Sequence, residues 1–250
     1  MPRPSVGALS LIALLLSLFT GACRHSSSAA PPGRRSNILL IIADDLDKVD
    51  LASAEEIFYR HSRSLIQPNC KIIFTVPVSM IYSPNLRQIQ MSFQNTITLP
   101  LPKMKNKAGE INKDWIDTFK GIVSKRVSTA LFEKGVLTKL ALQSGGLVVD
   151  YLRMVRDCLV KAKVRNMDKV DEDSAGETFD DLISDYRRVI NEEFYEKLKD
   201  VNENKKTEND DDLRRLLHIL AILEYVDNSE NWYDVHPAIE PLLLEKGLIK

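Results

Sequence analysis

The hydrophobic rhythm changes several times along the chain. A short apolar run, Ala8 to Phe19, is followed by Thr20-Gly21-Ala22-Cys23 and then by RHSSSAAPPGRRS. Five consecutive aliphatics, Ile38 to Ile42, then run into Ala43-Asp44-Asp45-Leu46-Asp47. An unbroken run of this length reads as a parallel strand buried on both faces, with carboxylates at its carboxyl end. Helical spacing takes over at Ala54, Ile57, Phe58, His61 and Leu65, with Glu55, Glu56, Arg60 and Arg63 on the other face. That spacing makes His61 a half-buried packing residue. Pro68-Asn69 breaks the helix, Lys71 to Val76 is a second strand closed by Pro77, and Thr96 to Leu99 is a third. Strand, helix, strand within about 40 residues is one right-handed βαβ unit.

After Pro102 the period becomes helical throughout. A helix beginning near Lys113 places Trp115, Phe119, Ile122, Val123, Val127 and Ala130 on one face. Ser144-Gly145-Gly146 precedes another, with Tyr151, Leu152, Val155 and Leu159 inward and Arg153, Arg156, Lys161 and Lys163 outward. Residues 168–185 read as a solvated loop and helix start, and a charged helix continues to about Asp200. Residues 201–212 read as a polar linker. LRRLLHILAILEYV reads as a helix capped by Asp211 or Asp212. Trp232, Tyr233 and His236 read as core and turn residues.

Charge adds local detail. The chain holds 34 basic and 35 acidic residues in 250, a net charge of −1. Such a balance provides no global basic field for nucleic acid. Residues 103–126 carry seven basic and three acidic side chains, whereas 168–185 carry eight acids and one base. Both read as solvated faces. Cys23, Cys70 and Cys158 are too scattered for a disulfide framework or a zinc cluster.

The apolar run at 8–19 spans about 18 Å as a helix, short of a bilayer core of about 30 Å. It reads as the core of an export signal. Thr20-Gly21-Ala22-Cys23 resembles a bacterial lipobox, which implies lipidation of Cys23 and membrane anchoring; a plain signal peptide with an incidental cysteine is the alternative. Residues 24–36 lack core-forming side chains and read as a tether.

Two families resemble the segment that follows. RRSNILLIIADDL is similar to the first strand of sulfatases, which implies calcium at Asp44 and Asp45. Neither Cys70, followed by KIIF, nor Cys158, followed by LVKA, supplies the nucleophile sequence those enzymes use. The longer string ILLIIADDLDKVD resembles the Walker B strand of P-loop ATPases of the AAA+/STAND kind. That resemblance implies Mg²⁺ held through Asp44, a catalytic role for Asp45 toward the attacking water, and ATP as cofactor. It continues through IIFTVPVSMIYSP and ITLPLPKM, where Thr75 takes the sensor-1 place. SGGLVVDYLRMVRDC resembles the lid helix. There Val149 stands where related sequences carry arginine, leaving Arg153 or Arg156 as the sensor-2 candidate. The tail NSENWYDVHPAIEPLLLEKGLIK resembles a winged-helix-like end.

No G-x-x-x-x-G-K-[ST] phosphate loop occurs in these 250 residues. The expected fold class is therefore an α/β remnant with a partial parallel sheet, followed by a mostly α-helical region with a winged-helix-like end. The expected units are a signal at 1–23, a linker at 24–36 and a partial ATPase core at 37–102. A lid-like helical region at 103–200 and a C-terminal module at 201–250 complete them. In the ATPase family the phosphate-loop strand lies between the sensor-1 strand and the last strand. Without it, residues 37–102 are expected to be loose or to pair in another order. The functional expectation is an ATPase-like chain without activity of its own. The alternatives are a lipid-anchored, sulfatase-derived envelope protein and a non-enzymatic interaction module. A protein partner is expected on the helical half, nucleic acid is not, and membrane contact is expected only through the leader. Location is expected at the cell membrane or in the periplasm if the leader acts, and in the cytoplasm otherwise.

Overall fold

The computed structural model describes residues 38–43, 54–67, 72–93, 95–227 and 230–250. The export signal, Cys23, the tether, Asp44 and Asp45 therefore lie outside the described residues.

Strands β1 (Ile38–Ala43), β2 (Ile72–Pro77) and β3 (Asn95–Thr98) form a parallel sheet in the order β2-β1-β3. The aliphatic run is the central strand. Ile38 pairs with Ile72 and Ala43 with Pro77 on one side, while Leu39 pairs with Asn95 and Ile42 with Thr98 on the other. A π-helical turn (Glu56–Arg60) and helix α1 (Ser62–Ile66) connect β1 to β2, as the βαβ pattern required. A 3₁₀ turn (Val78–Tyr82) and helix α2 (Leu86–Ser92) lead to β3. Ala54, Val76, Met80, Ile89 and Phe93 form a small core here. Phe58, Phe74 and Phe93 meet around it with centroids 5.9 to 6.2 Å apart, at the tilted and edge-on angles that aromatic quadrupoles favour. His61 is exposed, contrary to the helical spacing. The π turn adds a residue to the helical period and rotates His61 off the packed face.

The larger core lies in the helical half. It is built from α3 (Lys113–Ser124), α4 (Val136–Gln143), α5 (Val148–Val164), α6 (Glu172–Val189), α7 (Tyr195–Asn204), α8 (Asp211–His218) and α9 (Glu240–Glu245). Phe119 and Tyr151 are fully buried within it, ring centroids 5.0 Å apart. Asn112, Asp171 and Asp210 cap α3, α6 and α8 with side-chain oxygens on backbone N–H groups, which explains where those helices begin. Helix α7 runs through Asn204, so the polar stretch 201–212 is partly helical rather than a linker. The segment read as one helix, LRRLLHILAILEYV, divides. Helix α8 stops at His218, and Ile222–Asp227 is a strand, β4, antiparallel to β5 (Glu230–Val235). Leu220 at φ +57° reverses the chain between them, and β-branched and aromatic residues suit the strand that follows. No helix among the described residues is long and apolar enough to cross a membrane.

Candidate functional site

The register of β1 and β2 sets Ala43 beside Pro77, so the strand ends that would face a nucleotide lie side by side. Asp44 and Asp45 follow Ala43 in sequence. Thr75 sits on β2 opposite Ile41, and its side chain is exposed. Arg153 lies on α5, where its guanidinium donates to Asp185 of α6 at 2.7 Å. No hydrogen bond or ion pair joins Thr75 to Arg153. Among the described residues no group of three or more His, Cys, Asp or Glu side chains could hold a metal ion. Of the sequence-derived set, the described residues thus show Thr75 on β2 and Arg153 on α5 as separate positions.

What the fold does assemble is a buried polar cluster that no spacing in the sequence announces. Glu224 on β4 is 7% exposed and faces Tyr233, its cross-strand partner on β5. The Tyr82 and Tyr233 hydroxyls lie 2.5 Å apart, and Asn231 donates to the Glu224 carboxylate. Burial pushes the Glu224 carboxyl above its usual range, and donation from Tyr82, Asn231 and Tyr233 pulls it part of the way back. Burial likewise raises both phenols, Tyr82 well above its ordinary value. The cluster has hydrogen-bond donors and a reluctant carboxylate but no activated nucleophile. Its effect is mechanical: it fixes the 3₁₀ turn after β2 to the β4–β5 hairpin, across 151 residues of sequence.

A second buried group is His236, fully shielded and stacked on Tyr186 at 4.8 Å. Its Nδ1 accepts from the Ala238 N–H, which leaves Nε2 as the protonated nitrogen, 3.5 Å from Asp150 at the start of α5. Trp232 is buried and stacked on Tyr225 at 4.5 Å, and Tyr233 is half-buried. Trp232, Tyr233 and His236 are core and turn residues, as their sequence reading had them. Cys158 is also buried, its thiol against Thr178 of α6 and pushed above its usual range chiefly by that burial.

No protein-family model and no curated protein matches this chain. Among solved structures it is similar to the Thermotoga maritima RuvB Holliday junction branch migration motor, at 17% identity and a TM-score of 0.36. That similarity covers 82% of this chain and 69% of the other. It is also similar to the Aeropyrum pernix ORC2 protein in its ADPNP–ADP complexes, at 12% identity and a TM-score of 0.38, over 100% of this chain and 71% of that one. Likenesses this distant transfer no role to this chain.

Proposed function

We propose that this chain is an ATPase-like protein of the AAA+/STAND kind that does not turn over ATP by itself, and that its helical half works as a protein-contact module. The pairing of β3 directly with β1 carries the first part. In the order the resemblance implies, a phosphate-loop strand separates the last strand from the sensor-1 strand. Here β1 is paired on both edges, and β3 lies on the far side of it from β2. Among the described residues β1 occupies the place between β2 and β3. Bound Mg²⁺ and ATP would supply phosphoryl-transfer chemistry, with Asp44 and Asp45 the residues that the resemblance would place on the metal.

The C-terminal segment supports the second part. Helix α8, the β4–β5 hairpin and α9 read as a winged-helix-like module. The exposed side of α8 mixes Asp211 and Asp212 with Arg215, and the half-buried Arg214 pairs with Asp211. A nucleic-acid reader needs a basic face, so a protein surface is the better-matched partner.

The test is ATP hydrolysis by the purified full chain with Mg²⁺, beside an Asp45→Asn variant. Both are expected to show only background turnover. Steady turnover by the wild type that Asp45→Asn abolishes would overturn the proposal.

A further inference from the structure

Helix α5 carries one apolar stripe that the fold covers and a second that it covers only in part. Tyr151, Met154, Cys158 and Ala162 are buried. The second stripe, with Val155 buried, Leu152 and Leu159 half-buried and Val160 and Val164 exposed, forms one wall of a groove of about 490 Å³. Val123 and Val127, at the end of α3, form the facing wall. Val160 is 55% and Val164 76% exposed, large values for valines on a helix of a folded protein. From Leu152 to Val164 the stripe runs about 18 Å, at i, i+3, i+7, i+8 and i+12, the one-face spacing that helix-in-groove recognition uses.

Charge identifies the occupant. The charged side chains lining the groove are Arg126, Arg156 and Lys163, all cationic. On the α6 side, every cation of α5 and its cap meets a carboxylate of α6: Arg153 meets Asp185, Lys161 meets Asp181, and Arg165 meets Glu177. The groove cations have no such supply. Arg156 reaches only its own neighbour Asp157, Arg126 donates to the carbonyl of Ile122, and no ion pair engages Lys163 among the described residues. Helix α6 thus shows what this kind of surface binds: an amphipathic helix with small and apolar residues inward and acids along its edge. The groove likewise sets apolar side chains beside cations.

We infer that the groove between α5 and the end of α3 docks an amphipathic helix from an acidic partner protein. The cations stand on both walls, with Arg156 and Lys163 about two turns apart on α5, which matches several carboxylates spaced along a helix rather than the single headgroup of a lipid. This rests on reading the helical half as a contact module and is independent of the nucleotide question, which ATP turnover tests separately.

The probe is a labelled synthetic helix of about 16 residues with leucines at i, i+4 and i+7 flanked by glutamates. Fluorescence anisotropy should show it binding the full chain, more weakly as salt is raised. Val160→Asp, at an exposed position, should keep the wild-type circular dichroism spectrum and weaken binding by about tenfold or more. The same helix with lysines in place of glutamates should not bind. Absent binding, equal binding of the lysine helix, or indifference to Val160→Asp would each overturn the proposal. So would a concentration-dependent dimer in sedimentation that Val160→Asp dissolves, which would give the groove to a second copy. Binding to phosphatidylglycerol vesicles that Val160→Asp abolishes would give it to a lipid surface, with the same consequence.

Discussion

Replacing Gly146 by alanine isolates one steric demand of this fold. Gly146 follows Ser144-Gly145 at the entrance to α5 and has φ +99°. A methyl group there would overlap the carbonyl oxygen of Pro102 and come within 3.1 Å of its carbon and 3.4 Å of the Leu101 side chain. Gly109 provides the control, with φ +84° and nothing within 4 Å of its added methyl. The left-handed backbone costs an L-residue about 1–2 kcal/mol. Stiffening the unfolded chain returns about 0.4–1 kcal/mol. Gly109→Ala should therefore cost about 1 kcal/mol or less. At Gly146 the obstructing atoms are backbone, so the chain must shift, an overpacking penalty of about 1–3 kcal/mol more. The expected loss is about 2–4 kcal/mol, a large share of a total stability of about 5–15 kcal/mol. The shift would also strain the hydrogen bond from the Tyr225 hydroxyl to the Gly145 carbonyl, 2.7 Å long. Urea unfolding followed by the fluorescence of Trp115 and Trp232 measures both variants. If Gly146→Ala lost no more stability than Gly109→Ala, the close approach of the 102 and 146 segments would be refuted.

Two further outcomes concern pH and capping. Partial burial works against the Asp210 carboxylate, yet Lys197 and the Leu213 N–H outweigh it and hold it below its ordinary value of 3.8. Its contribution is therefore present above that value and lost as pH falls through the lower folded one. Asp210→Ala should cost about 1 kcal/mol at pH 7, the usual worth of such a cap, and less in acid; a flat difference across pH would contradict the ion pair. Glu224 has the opposite sign. Its carboxyl is raised above 4.5, so the folded state holds the proton longer, and stability falls as pH rises from that value through the folded one. Glu224→Gln should flatten this part of the urea-midpoint profile, and a profile unchanged in Glu224→Gln would remove Glu224 as its source.

The sequence by itself determined the elements whose signal is local. The aliphatic run made β1 and Pro77 closed β2, because each depends only on residues within a few positions, whereas the cap of α8 fell on Asp210 and not on Asp211 or Asp212 as expected. The export segment and the Asp44-Asp45 pair are also sequence features, and they remain so, since the described residues do not reach them. Tertiary structure decided everything that depends on what lies across the molecule. LRRLLHILAILEYV carries enough leucine for a helix throughout, but its second half became β4 because Glu230–Val235 offered a ladder to pair with. The order β2-β1-β3 turned on which edge of β1 was open to β3, a fact no residue of β3 encodes. Tyr82 and Glu224, 142 positions apart, had no common periodicity to link them. Val160 and Val164 stand outside the stripe that the sequence turned inward, and the packing of the neighbouring helices leaves both exposed. A helix's pattern states which face is apolar; only the packing of its neighbours settles which apolar face is covered.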